Sequence, residues 1–247
     1  DADRFGPQTT AERPWARLLR RQLSRLGLVT TGATRHTTRS GLAFVQPNLA
    51  NLEWLYARLG DAESRDTLVS TVAYRALGPR KIKLPLNCPE HWNRLRAVKK
   101  LAEGTEKLDS DFMGWKLSKL DLTSLGFPVR MFGTPAGILA TFVEQQYHCE
   151  TPDGSIACSP GDVVVDAGAC WADTALYFAH RTGPKGIVAS FEFLPENLEV
   201  FERNLSFNPD LAGRVQLHRQ AVWSRSGERL SFTRNGPGTS VGENQNG

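Results

Sequence analysis

The change of pattern after Gly161 constrains the fold more than any other feature of the chain. From there the sequence alternates β-branched or apolar runs with helical stripes, and glycine or proline marks each change. Strands that alternate with helices pair in parallel, so we predict an α/β fold built on half of a Rossmann-like sheet. The predicted strands cover residues 162–166, 186–191, 213–218 and 229–233, and the predicted helices cover 174–180 and 195–205.

The chain ahead of this core is expected to be mainly helical. Leucines 49, 52, 55 and 59 share one helix face, and residues 61–65 predict a turn and cap into a second helix that reaches Leu77. Residues 14–28 predict a basic amphipathic helix, and a loop is expected over 30–41. Residues 79–127 show no firm pattern.

Short strands or a hairpin are predicted at 131–132, 137–139 and 141–143, with turns at Gly133 and Gly137. We therefore expect two regions. A mainly helical region covers 1–127, and the α/β domain covers 128–247.

Composition and charge exclude several classes of protein. The 247 residues are 40% hydrophobic and 23% charged, and no apolar run approaches the ~18 residues that a membrane span requires. Four scattered cysteines make a poor disulfide framework, so we expect a cytoplasmic protein.

The partners expected from the charge and the metal-binding residues are few. The net charge of +4 arises from clusters that lack the alternating arginine and aromatic residues of single-strand binding proteins, so a nucleic acid partner is not expected. The helix over 14–28 is interpreted as a solvated basic face, with peripheral membrane contact as the alternative. No cysteine and histidine spacing matches a zinc site, so no metal is expected.

The ends of the first two predicted core strands carry the residues that indicate a ligand. Glu192 ends the second strand 26 positions after Asp166 ends the first, and an acidic side chain at that place can accept hydrogen bonds from ribose hydroxyls. The glycine spacing that surrounds a pyrophosphate is absent, because Cys170 and Ala172 occupy the later glycine positions. A cofactor with a ribose and no phosphate fits better, and S-adenosylmethionine is the common one. Its carboxylate could use free N–H groups at the helix start near Ala172 and Asp173.

Several motifs of the chain resemble those of the FkbM family of S-adenosylmethionine-dependent methyltransferases. That family has, roughly, Asp-x-Gly-Ala-Asn-x-Gly-Asp-Thr, then Phe-Glu-Pro and Pro-Glu-Asn. The resemblance covers most of residues 50–240, and most of the matching positions lie in 160–223. Three positions depart from the family pattern: Cys170 replaces Asn, Ala172 replaces Gly, and Phe193 replaces Pro. The matching motifs are residues 164–174, Phe191 with Glu192, Pro195 to Asn197, Asn204 and residues 221–222, with weaker similarity at 55–65 and 74–75.

The resemblance implies a class I methyltransferase core and a set of cofactor-binding residues. Glu192 would bind the ribose and Phe193 would flank the adenine. Gln220 and Ala221 would lie along the edge of the adenine, and Gln146 and Tyr147 would close the pocket. The methionine end would be held by Asp166, Gly168, Ala169, Cys170, Asp173 and Thr174.

The implied reaction is O-methylation of a hydroxyl on a sugar, polyketide or other small metabolite, by a catalytic base that the sequence does not identify. Two alternatives stay open, a nicotinamide-dependent oxidoreductase and a non-catalytic nucleoside-binding or scaffold module. A homo-oligomer is compatible with the sequence.

A class I methyltransferase has seven strands, whereas this chain has residues for about half of that sheet. We therefore expect a truncated core with an open sheet edge and exposed apolar surface, marginally stable by itself.

Overall fold

The structure is a computed structural model that describes residues 32–78, 81–110, 112, 114–151, 154–234 and 238–243. The predicted basic helix over 14–28 lies outside the described residues. Two compact units divide between Asn93 and Arg94. Within the described residues, no helix is both long and apolar enough to span a membrane.

The first unit contains two helices, α1 over Gly32–Arg58 and α2 over Ala62–Leu77. The predicted cap is confirmed, since the Ser64 N–H donates to Asp61 Oδ1 at 2.7 Å. The loop predicted over residues 30–41 is wrong from Gly32 onward, because α1 begins at Gly32 and continues through Pro47. Residues 30 and 31 lie outside the described residues. Threonine and serine each reduce helix stability by less than about 1 kcal/mol, which is too little to end a long helix.

An antiparallel sheet of order β1-β2-β3 lies in the second unit. Helix α3, Pro89–Leu101, comes before it in the chain and spans the division between the units. The strands are β1 over Lys107–Asp109, β2 over Lys116–Asp121 and β3 over Arg130–Gly133, with a 3₁₀ turn at Thr123–Leu125.

The compact units divide earlier in the chain than the expected boundary between residues 127 and 128. The reason is strand pairing: β2 lies before that boundary and β3 after it, yet the two pair directly, for example through Lys119 and Phe132. The β1-β2-β3 sheet therefore belongs with the parallel sheet that follows it in the chain, in one compact unit.

The segment after β3 is helical, which corrects the short strands predicted at 137–139 and 141–143. Helix α4 covers Pro135–Ile138, and a π-helical turn over Leu139–Val143 continues it. Thr134 caps the start, because its Oγ1 accepts the Gly137 N–H at 3.1 Å, and Pro135 suits the first helical position. These cap signals outweigh the β-branched residues of the segment. A hairpin of β4, Cys149–Thr151, and β5, Gly154–Ile156, follows.

The predicted alternation of strands and helices is confirmed, and the fold of this part is α/β. Its three strands form a parallel sheet in the order β6-β7-β8, with Asp166 beside Ser190 and Ala167 beside Phe191. The elements are β6 over Val163–Ala167, α5 over Asp173–Thr182, a 3₁₀ turn at Gly183–Lys185, β7 over Ile187–Phe191, α6 over Pro195–Ser206, α7 over Pro209–Ala212, β8 over Val215–His218, and a hairpin of β9, Leu230–Thr233, and β10, Ser240–Glu243.

β6 and β8 are the edge strands of the parallel sheet, and β6 is the edge with the most exposed valines. Among the described residues, β6 pairs with β7 alone, and Val163 and Val165 are 69% and 66% exposed. Val188 on the neighbouring strand is fully buried. In most proteins an edge strand with exposed apolar side chains is covered by another part of the chain or protected by charged residues, proline or a bulge.

Candidate functional site

A cavity of about 360 Å³ lies at the carboxyl ends of the three parallel strands. Its volume falls in the range of roughly 300–1,000 Å³ that is usual for small-molecule sites. It is lined by the end of β6, the residues from the end of β7 into α6, and the segment that follows β8, together with Thr239 and Val241 at β10. Of the predicted site residues, Gly168, Cys170, Glu192, Phe193, Gln220 and Ala221 line this cavity.

Glu192 is held at the cavity wall by three hydrogen bonds. Its Oε1 accepts the N–H groups of Phe193 at 2.7 Å and Leu194 at 2.9 Å, and its Oε2 accepts Asn197 Nδ2 at 3.1 Å. The side chain is 5% exposed. Because a carboxylate offers about four acceptor positions, about one remains, on Oε2. Sequence reasoning named Asn197 only as part of a motif and did not identify it as the partner that orients Glu192.

The turn between β6 and α5 has a left-handed backbone at three positions. The φ angles are 88° at Gly168, 44° at Cys170 and 68° at Ala172. Glycine adopts such angles freely, but a residue with a Cβ pays about 1–2 kcal/mol. The Asn and Gly of the FkbM pattern at positions 170 and 172 are the residue types best suited to this backbone. The turn therefore keeps the left-handed shape with less suitable side chains.

Three N–H groups of this turn donate within the protein. Those of Gly168 and Ala169 donate to the Phe191 carbonyl at 3.0 and 2.9 Å, and that of Ala172 donates to the Ala169 carbonyl at 2.8 Å. The predicted use of a free Ala172 N–H by a ligand carboxylate is therefore wrong. Gly168 faces open space, because a Cβ built on it would meet no atom within 4 Å. A ligand can therefore come close to the backbone of the turn at this residue.

Asp166 lies beneath the turn and does not line the cavity. Its Oδ2 accepts the Thr174 hydroxyl at 2.8 Å, and its side chain is buried. Burial raises the pKa of Asp166 to about 6 against the effect of the Thr174 hydrogen bond, and the negative charges of Asp173 and Glu192 raise it further. Burial also raises the pKa of Asp173, against the opposing effect of the backbone N–H groups of Thr174 and Asp173.

The negative charge of these carboxyl groups is not balanced by neighbouring cations. Among the described residues, no lysine, arginine or histidine forms an ion pair within 4 Å with Asp166, Asp173 or Glu192. Burial, followed by the charges of Asp173 and Glu192, raises the pKa of the Cys170 thiol, which is therefore protonated and unreactive. Glu192 is the one charged residue among the described residues that line the cavity. The site favours a cation and disfavours an anion.

The structure places the other predicted residues outside the cavity lining. Tyr147 packs on Phe178 of α5, with ring centroids 5.0 Å apart, and the Gln146 N–H donates to the Ala140 carbonyl at 3.0 Å. Burial raises the pKa of the Tyr147 phenol, and the charges of Asp173 and Asp166 raise it further. The predicted residues that do not line the cavity are Gln146, Tyr147, Asp166, Ala169, Asp173 and Thr174.

Some lining residues were missed by sequence reasoning. Thr239 and Val241 come from the hairpin of β9 and β10, and Phe232 of that hairpin packs edge-to-face on Phe193 at 5.3 Å. No sequence signal links this hairpin to the strand ends, because the contact is a tertiary one between residues that are distant in the chain, such as Phe193 and Phe232. In the described part of the chain there is no group of three or more histidine, cysteine or acidic side chains able to hold a metal ion.

Comparison with known proteins gives similar solved structures, two methyltransferases among them. No family model and no curated protein matches the chain. A methyltransferase FkbM from Methylobacillus flagellatus KT is 16% identical over 77% of this chain and 36% of that protein, with a TM-score of 0.38. A protein-L-isoaspartate O-methyltransferase is 14% identical over 53% of this chain and 42% of that protein, with a TM-score of 0.27. The chain thus spans well under half the length of both structures.

Proposed function

We propose that the cavity binds S-adenosylmethionine and that the protein is a methyltransferase with a class I, Rossmann-like core. The observation that carries this proposal is a cavity at the carboxyl ends of parallel strands in which Glu192 is the one charged residue among the described residues that line it. Such strand ends are where open α/β sheets bind ligands. S-adenosylmethionine combines a ribose with a positive sulfonium, and both groups suit an acidic site.

The turn after β6 favours this cofactor over a dinucleotide. A pyrophosphate carries negative charge and needs a close backbone approach or a cationic partner. None of the described lining residues is cationic, and the side chains of Cys170 and Ala172 occupy positions that a dinucleotide fingerprint fills with glycine. An acidic residue at the end of the second strand is common to both kinds of site, so the support for a nucleoside without a pyrophosphate comes from the turn.

The nucleoside part of the cofactor has proposed partners in the cavity. The remaining acceptor position on Glu192 Oε2 would take a ribose hydroxyl. Phe193 would flank the adenine, and Gln220 and Ala221 would lie along its edge. The backbone of Gly168 would lie close to the ligand. The cofactor supplies an activated methyl group, and the protein aligns the acceptor and excludes water. We propose a hydroxyl of a small metabolite as the acceptor and the cytoplasm as the location.

Calorimetric titration with S-adenosylhomocysteine, S-adenosylmethionine and NAD⁺ tests the proposal. We expect binding of the first two ligands and none of NAD⁺. Ala221→Trp fills the cavity and should abolish binding. Val163→Trp is the control, because it places the same indole at an exposed site at the opposite end of β6 and should leave binding unchanged.

The charge of Glu192 gives a sharper test. Glu192→Gln keeps the size of the side chain and removes its charge. A charge about 10 Å away contributes about 1.7 kcal/mol at an effective dielectric constant near 20, so binding of the sulfonium cofactor should weaken by tenfold or more. Binding of the neutral S-adenosylhomocysteine should weaken less. NAD⁺ binding would favour the oxidoreductase, and nucleoside binding without methyl transfer to any hydroxyl acceptor would favour the non-catalytic module.

A further inference from the structure

Two asparagines complete the free edge of β3. The Arg130 N–H donates to Asn208 Oδ1 at 2.9 Å, and Asn208 Nδ2 donates to the Arg130 carbonyl at 2.6 Å. The Phe132 N–H donates to Asn204 Oδ1 at 2.7 Å, and Asn204 Nδ2 donates to the Phe132 carbonyl at 2.9 Å. Each side-chain amide therefore exchanges two hydrogen bonds with one residue, as a neighbouring strand would.

The spacing of these contacts has a geometric reason. Four residues along a helix rise about 6 Å, and two residues along a strand rise about 6.6 Å. Asn204 on α6 and Asn208 just beyond its end can therefore reach alternate residues on the same edge of β3. Both side chains are buried, at 0% and 6% exposure. The pairing satisfies backbone groups of an edge strand that would otherwise be buried without partners.

The third hydrogen bond of each amide distinguishes the two asparagines. Asn204 Nδ2 also donates to the Trp171 carbonyl at 2.7 Å, whereas Asn208 Nδ2 donates to the Asn204 carbonyl at 2.7 Å. Trp171 lies between the left-handed residues Cys170 and Ala172. Its indole belongs to a buried cluster with Leu117, Phe132 and Val200. The turn is thus anchored at its centre, by its backbone through Asn204 and by its ring through the cluster.

We propose that Asn204 is a positioning residue that holds the turn over residues 168–172 in its left-handed form and so shapes the cavity wall at Gly168 and Cys170. An unfavourable backbone conformation persists only where the surrounding structure imposes it. Asn204 joins the turn to β3 by hydrogen bonds to both, beside the packing of the Trp171 ring on Phe132. Its effect on cofactor affinity rests on the proposed function, whereas its effect on the turn does not.

Hydrogen–deuterium exchange of the ligand-free protein, followed by mass spectrometry, tests the effect on the turn. Asn204→Ser and Asn208→Ser each remove an amide that makes three hydrogen bonds and that pairs with β3. Both should speed exchange in β3. Asn204→Ser should also speed exchange at residues 168–172 by about tenfold or more, whereas Asn208→Ser should leave the turn within about twofold of the unmodified protein.

A double-mutant cycle extends the test. Ala172→Gly removes the steric cost of the left-handed angle, so it should restore protection of the turn in Asn204→Ser and change little in Asn208→Ser. Equal exchange of the turn in the two serine variants, or a turn that stays protected in Asn204→Ser, overturns the proposal.

The unmodified protein provides a measurement that needs no variant. If Asn204 joins the turn to β3, the amides of Ala169 and Ala172 should open in the same event as those of β3, with the same dependence on urea. Independent opening of the turn at lower urea overturns the proposal. S-adenosylhomocysteine affinity is then compared in the two serine variants, with a loss of about tenfold expected in Asn204→Ser alone. Failure of the unmodified protein to bind this ligand refutes the proposed function and leaves the exchange result standing.

Discussion

Asp166 gives a direct test of the electrostatics beneath the turn. Its carboxyl group is buried without a cationic partner, and burial raises its pKa from 3.8 to about 6. The folded protein therefore holds the Asp166 proton more tightly than the unfolded chain does. This contribution to stability is fully present below about pH 3.8 and is lost as the pH rises through about 6.

The size of the effect follows from the two pKa values. A tenfold change in a protonation equilibrium is worth about 1.4 kcal/mol, so the ionised Asp166 costs the folded protein about 3 kcal/mol above pH 6. Asp166→Asn keeps an acceptor for the Thr174 hydroxyl and cannot ionise. The free energy of unfolding of Asp166→Asn, relative to the unmodified protein, should rise by about 2.5 kcal/mol between pH 4 and pH 7.5.

Urea unfolding followed by circular dichroism, at several values of pH, measures this difference. Comparing variant with unmodified protein cancels the titration of the other carboxyl groups. Asp162→Asn, at an exposed position just before the same strand, is the control and should change the unfolding free energy at pH 7.5 by less than about 0.5 kcal/mol. A relative stability of Asp166→Asn that changes by less than about 0.5 kcal/mol over this range would refute the reasoning.

Two further predictions concern packing and reactivity. Gly186→Ala should destabilise the protein by about 2–3 kcal/mol in urea unfolding, because the new Cβ would lie 2.2 Å from the Thr182 Cβ, whereas Gly213→Ala, with no atom within 4 Å, should be nearly neutral. Equal effects of the two substitutions would contradict the structure. The Cys170 thiol should react with iodoacetamide at least about tenfold more slowly than the exposed Cys149 at pH 8, because burial raises the pKa of Cys170. Comparable alkylation rates by mass spectrometry would show that the turn is open.

The α/β part of the fold could be predicted because its signals are local. The β-branched run before Gly168 and the proline at position 195 locate β6 and the start of α6 to within a residue. The segment over residues 137–143 could not be predicted in the same way. Its β-branched residues favour a strand, and the cap formed by Thr134 and the burial of Phe142 favour a helix.

The candidate site could be predicted only in part, for a geometric reason. Successive side chains of a strand point to opposite faces, so of two neighbours at the end of β6, Asp166 lies beneath the turn while Ala167 lines the cavity. Glu192 was found because it ends a strand. Its partner Asn197 and the lining residue Thr239 are brought to the cavity by the fold.

The central claim is that the cavity beside Glu192 binds S-adenosylmethionine. The most direct measurement is a crystal structure of the 247-residue protein grown with S-adenosylhomocysteine. We predict ligand density in this cavity, with a ribose hydroxyl on Glu192 Oε2 and the adenine beside Phe193. An empty cavity, or the ligand bound elsewhere on the protein, would contradict the claim.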